Sequence, residues 1–163
     1  MPSPEVAQCP GRAQCIVARD GKLLLVKHRY GEQSHYCTPG GGIEPGETPA
    51  QAALRELREE CCLEGTILKQ LSVYADPYED KHFYTYHVDI GDQTPMLGTD
   101  PDVIGEPILA DVQWLRLDKL CERDRAYLWA AGLIGVPEFA EELSDWGDDI
   151  SYPEGRRGLR YVD

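Results

Sequence analysis

Three glutamates, Glu56, Glu59 and Glu60, recur at i, i+3 and i+4 in the run Glu56-Leu57-Arg58-Glu59-Glu60. On a helix this spacing sets their carboxylates on one arc of roughly 100°. Like charges so placed repel by a few tenths of a kcal/mol per pair on an exposed helix, roughly. A divalent cation reverses that penalty. Carboxylate oxygens and shared phosphate oxygens suit Mg²⁺ or Mn²⁺, which keep several waters and are held by a few carboxylates plus substrate. Alone, the run also reads as a solvated acidic helix face. The residues just upstream argue against that. Pro39 is followed by Gly40, Gly41 and Gly42, and Gly46 precedes Glu47. Such a loop lets the backbone take positive φ angles and approach a phosphate or metal without a Cβ in the way.

The element that must position the glutamates has a marked start. Thr48-Pro49-Ala50-Gln51 reads as a capping box: the Thr48 hydroxyl accepts from the amide at N3, Gln51 reaches back, and proline suits N1. Ala50, Ala53, Leu54, Leu57 and Cys61 then form an apolar stripe at helical spacing. One face is predicted to be buried and the adjacent one acidic. Arg55 reads as a cation that orients the acidic cluster, or as an ordinary surface pair with Glu59.

Taken together, Gly41 to Leu63 resembles a Nudix box. Gly41, Glu47, Arg55, Glu56, Leu57, Glu59, Glu60 and Leu63 occupy the pattern, and Cys62 stands where the second glycine belongs. The resemblance implies an α/β fold, a Nudix-type α/β/α sandwich with a mixed β-sheet; composition alone supports only an α/β or α+β domain. It implies a metal-dependent hydrolase that cleaves the diphosphate linkage of a nucleoside diphosphate joined to another moiety, such as a nucleotide, ADP-ribose, a nucleotide sugar or a dinucleoside polyphosphate. In such an enzyme Glu56, Glu59, Glu60 and the Gly40 carbonyl hold Mg²⁺ or Mn²⁺. Arg55 ties down Glu47, and Glu56 is the expected general base. A further metal-shell acid is expected from the late loop, with Glu106 first and Asp102 and Asp111 close behind. Gly41, Arg12, Arg29 and Tyr78 are the expected substrate contacts, with Lys27 a further phosphate cation. Pro77 and Tyr78 lie near the marker positions of two different subfamilies, so the markers cancel. Tyr74, Tyr78, His82, Tyr84 and Tyr86 read either as a base-stacking set or as strand core. Two alternatives stay open: a nucleotide-sensing module without turnover, and an isomerase that leaves the diphosphate intact. At Cys62 the resemblance raises a conflict, because a Cβ in a left-handed turn costs about 1–2 kcal/mol. Gly65 is expected to supply the turn instead, with the helix running slightly longer.

The 163 residues are 42% hydrophobic and fit one domain, 1–163, whose 138–163 segment is acidic and then basic. That segment could pair with itself or with a second subunit as a homodimer. A net charge of −13 disfavours nucleic-acid polymers and anionic membranes as partners and leaves a small phosphorylated substrate. No apolar run is long enough to span a membrane, and the first residues lack the pattern of a signal peptide, so a cytoplasmic protein is expected. The six cysteines show no CxxC spacing and are expected to be reduced thiols.

Along the chain, Ala13 to Arg19 and Leu23 to Lys27 read as strands paired across an Asp20-Gly21 hairpin turn. Thr66 to Tyr74, His82 to Ile90 and Val112 to Leu117 read as strands, and Asp124 to Leu133 and Pro137 to Trp146 as helices. Gly91 to Pro107 reads as a long active-site or subunit-contact loop.

Overall fold

The computed structural model describes residues 11–75, 81–99, 101, 105, 108–120 and 122–144. Two four-stranded sheets form its centre. In the first, β5 (Gly40–Gly42), β1 (Gly11–Ile16), β7 (His82–Asp89) and β6 (Thr66–Ala75) lie in that order. β1 and β7 run parallel and the outer pairs antiparallel, so this sheet is mixed. In the second, β3 (Lys22–Tyr30) pairs along its length with β8 (Ile108–Arg116). β2 (Ala18–Arg19) and β4 (Gln33–Cys37) also pair with β3 at its two ends, which leaves them the opposite edge.

Strand alternation explains the layering. Cys15, Leu24 and Val26 belong to a core with Ala52, Ala53, Leu57 and Cys61 of α1 (Pro49–Cys61). Their neighbours Ile16, Leu23 and Leu25 belong to a second core with Leu128 of α2 (Glu122–Ala130), Phe139, and Leu143 of α3 (Ala140–Ser144). Successive strand residues point to opposite faces, so the unbroken apolar run Leu23 to Val26 must be covered on both. The outcome is the α/β/α sandwich that the resemblance implies. Each fully buried leucine contributes about 1.5–3 kcal/mol to it, and Leu57 docks α1 through such a contact.

Several expectations change. The run Ala13 to Arg19 is divided: β1 joins one sheet, and β2 turns at Val17 to pair with β3 in the other. Asp20 and Gly21 both take positive φ, 52° and 72°, as a tight hairpin turn requires. Gly40 to Gly42 form a strand rather than an open loop, and of Gly40, Gly41, Gly42 and Gly46 only Gly46, at φ 80°, is left-handed. Strand β8 starts earlier than expected, at Ile108. The segment 138–163 is described only to residue 144, where Phe139 and Leu143 fill the second core.

The helix end also differs from expectation. α1 stops at Cys61, and Cys62 itself takes the left-handed conformation, φ 56° and ψ 38°, with its amide donating to the Arg58 carbonyl at 3.0 Å. Gly65 serves packing instead, since a Cβ there would press on Val88 and Leu57. Because Cys62 is exposed, Cys62→Gly loses no core contact. It should stabilise the protein by about 1 kcal/mol and raise Tm by roughly 2–4 °C. Scanning calorimetry checks this, and an unchanged or lower Tm would show that the left-handed cap carries no strain.

Candidate active site

Helix α1 is fixed at both ends, which is what a site built on it needs. At the start, Gln51 N–H donates to the Thr48 hydroxyl at 3.1 Å and Thr48 N–H donates to the Gln51 side chain at 2.9 Å, the expected capping box. At the end, amides of the segment after β7 satisfy carbonyls that the helix leaves open. Met96 N–H donates to Cys61, Gly98 N–H to Glu60 and Thr99 N–H to Glu59, at 2.9, 2.9 and 2.8 Å. A Cβ at Gly98 would overlap the Glu59 carbonyl. This part of the long 91–107 stretch therefore clamps the acidic helix.

Arg55 organises the acidic cluster. Its Nε and Nη2 donate to the two carboxylate oxygens of Glu47 at 2.8 and 3.2 Å, and Nη2 also donates to the Gly42 carbonyl at 2.8 Å. Its Nη1 donates to Glu56 at 3.0 Å and Glu59 at 3.2 Å. The planar guanidinium fork suits such a set of acceptors. Donation from Arg55 is the main reason the Glu47 carboxyl is held below its usual range, and Glu47 in turn pushes the Arg55 pKa upward. Arg55 is 15% exposed and does far more than form a surface pair with Glu59.

Glu60 is 1% exposed and Glu56 4%, unusual for carboxylates. Gly40 N–H donates to Glu60 Oε1 at 2.8 Å. The other carboxylate oxygen, Oε2, lies 3.5 Å from His28 Nε2. His28 was not expected at the site. It stands two residues beyond Val26 on β3, so alternation from Leu24 and Val26 carries it onto the face toward α1. Gly41 is buried, and a Cβ there would overlap the Glu56 carboxylate. Its role is to leave room rather than to adopt a special φ. Gly41→Ala should displace Glu56 and weaken divalent-ion binding about 10–100-fold, the scale seen when groups supporting metal ligands are lost. Titration calorimetry with Mn²⁺ is the check; unaltered affinity would mean that Glu56 is free to shift.

The remaining expected residues are less gathered. Arg12 and Arg29 are exposed, and by alternation each points to the face opposite Ala13 and His28 respectively. The Lys27 ammonium lies 5.8 Å from the centre of the Tyr36 ring. Asp111 accepts from Val112 N–H and from Gln113 Nε2. It alternates with Val112, which packs on the α1-side core, so it faces away from the acidic cluster. Tyr86 is core and Tyr84 packs against it, while Tyr74 is exposed and stacks on Phe83 at 5.0 Å. Glu106, Asp102, Pro77 and Tyr78 lie outside the described residues. Burial raises the pKa of the Cys15, Cys37 and Cys61 thiols, with the Glu60 charge adding to it in each case. These three are free thiols, as is Cys62. Among the described residues no helix is long and apolar enough to cross a membrane.

The family model described as NUDIX domain matches residues 10–134. A human protein named diphosphoinositol polyphosphate phosphohydrolase NUDT4B is 37% identical over 75 residues, covering 44% of this chain and 40% of that protein. The chain thus matches less than half the length of this relative. Among solved structures, a NUDIX hydrolase from Nitrosomonas europaea superposes with a TM-score of 0.55 at 22% identity, over 66% of this chain and 57% of the other. A UDP-X diphosphatase superposes with a TM-score of 0.53 at 20% identity, over 72% and 55% of the two chains. These likenesses show the shared fold.

Proposed function

This chain belongs to the Nudix family, and from that premise we propose that it is a hydrolase that cleaves the diphosphate linkage of a nucleoside diphosphate joined to another moiety. The observation that carries the reading is the single guanidinium of Arg55 gathering Glu47, Glu56 and Glu59, beside a buried Glu60 that Gly40 holds. The carboxylates of Glu56, Glu59 and Glu60, with the Gly40 carbonyl, are hard oxygen donors on one helix arc and one strand. That set fits Mg²⁺ or Mn²⁺. When bound, the cation polarises phosphoryl oxygens and lowers the pKa of water.

The chain's own residues supply the rest. Glu56 accepts the proton of the attacking water as its oxygen bonds to phosphorus, and the bridging oxygen departs with the other phosphoryl group. Arg55 fixes the position of that carboxylate, and the clamp of residues 96–99 keeps the helix from shifting during the reaction. The relatives are named for diphosphate compounds that differ in what is attached. A net charge of −13 weighs against the most heavily phosphorylated of these and favours a nucleotide derivative. Free thiols at Cys15, Cys37 and Cys61 suit a reducing compartment, so the cytoplasm is the proposed location.

The test is product release from nucleoside triphosphates, ADP-ribose, nucleotide sugars, dinucleoside polyphosphates and a diphosphoinositol polyphosphate, with Mg²⁺ or Mn²⁺ and with EDTA. Metal-dependent cleavage of one nucleotide class supports the proposal. Binding without release would replace it with a sensing module, and a product with its diphosphate intact would replace it with an isomerase.

A further inference from the structure

The β3–β4 pair carries a second set of donors that the proposed hydrolysis does not use. Register sets His28 opposite His35 and Val26 opposite Cys37. Side chains alternate with period two, so His28, His35 and Cys37 share one face of this hairpin. One donor atom from each lies within 4.8 Å of the other two. His28 Nδ1 is 3.1 Å from Cys37 Sγ, and the His28 and His35 rings stack at 5.8 Å between centroids. Tyr30 stacks on the His35 ring at 4.9 Å and helps hold it in place.

A tetrahedral zinc site, with Zn–S near 2.3 Å and Zn–N near 2.0 Å, has an N···S edge of about 3.5 Å. The cluster is within a small side-chain adjustment of that geometry. Two imidazoles and a thiolate form a softer donor set than the carboxylates of α1, one suited to Zn²⁺ or Co²⁺ rather than Mg²⁺. We propose that His28, His35 and Cys37 form a second metal site, for Zn²⁺ or a similar borderline-soft divalent ion, with the fourth position left to water. Binding releases the Cys37 proton to solvent. His28 Nε2, the nitrogen facing away from Cys37, lies 3.5 Å from Glu60 Oε2. That is the carboxylate–imidazole–metal relay in which an outer carboxylate orients a histidine ligand. His28 therefore links this site to the acidic cluster, and that coupling rests on the proposed role of Glu60; the site itself does not.

The experiment uses Co²⁺ as probe on the full chain, with Mg²⁺ in large excess to fill the acidic cluster. One Co²⁺ per chain should bind with a thiolate-to-cobalt charge-transfer absorption, and Zn²⁺ should displace it. Cys37→Ser should remove that absorption, and His35→Ala should weaken Co²⁺ binding about tenfold or more. Circular dichroism checks that each variant folds; if Cys37→Ser does not, the partly exposed His35 decides. Co²⁺ binding without the absorption, or unchanged in the variants, would overturn the proposal and leave His28 and Cys37 as a hydrogen-bonded pair. No step reads turnover, so a failed hydrolase assay leaves the result standing.

Discussion

Glu60→Gln should lower metal-dependent turnover about 10³-fold, a loss of roughly 4 kcal/mol in transition-state stabilisation, while raising the Tm of the metal-free protein. The two effects have one cause. Glu60 is 1% exposed, and the largely buried Glu56 lies one helical turn away, with Glu59 adjacent. In the absence of a cation these charges are desolvated and repel one another. Glutamine keeps the size and an acceptor oxygen, so the Gly40 amide retains its 2.8 Å hydrogen bond. What disappears is the charge. The metal-free variant should melt a few degrees higher, and the rise in Tm that Mg²⁺ gives the wild type should shrink, because that rise measures binding to the native state alone. Calorimetric scans with EDTA and across an Mg²⁺ titration, beside turnover, make the comparison. Equal stabilisation of both proteins by Mg²⁺ would remove Glu60 from the metal shell.

How much of this was legible in the sequence depends on how far apart the interacting residues lie. The capping box and the arc of Glu56, Glu59 and Glu60 are local, set by helical period and by residues within four positions of one another, and both appear as read. The pairing of Arg55 with Glu47 followed from the box pattern. Its hold on the Gly42 carbonyl did not, because that carbonyl belongs to a strand whose pairing with β1 no local rule announces. His28 was missed for a related reason. Alternation places it on the face of Val26, but only the packing of that face against α1 brings it to Glu60. Gly40 to Gly42 misled because glycine has two uses. Here it admits neighbouring atoms where a Cβ would collide with Ala13, Gln14 or Glu56, and the composition PGGG looks the same in either case. The segment Met96 to Thr99 was read as loop, which it is, yet its function of closing the end of α1 is a long-range property. Cys62 shows the reverse: the family pattern identified a position needing left-handed backbone, and the chain adopts it there despite the Cβ.

Removing the cation that holds this arrangement should have the largest effect on stability. Arg55→Ala leaves Glu47, Glu56 and Glu59 without their common donor, in a site where Arg55 and Glu47 are only 15% and 14% exposed. Breaking a buried pair by deleting one partner costs about 3–5 kcal/mol; partial access to water puts this case near the lower end. At roughly 2–4 °C per kcal/mol for a chain this long, Tm should fall by about 6–12 °C. Arg55→Lys should recover less than half of that, since an ammonium keeps the charge but cannot span Glu47, Gly42 and Glu56 at once. Acidity supplies a second check. Donation from Arg55 depresses the folded-state pKa of Glu47. Its contribution is therefore complete above the unfolded carboxylate value of about 4.3, and it is lost as pH falls through the lower folded value. The gap in Tm between wild type and Arg55→Ala should accordingly be widest near neutrality and narrow below about pH 4. Mg²⁺ should also narrow it at neutral pH, because a cation at Glu56 and Glu59 restores part of the positive charge that the guanidinium gave them. A gap that stays constant from pH 7 to pH 3, or a fall in Tm of less than about 1 °C, would mean that Arg55 adds little beyond a solvated ion pair.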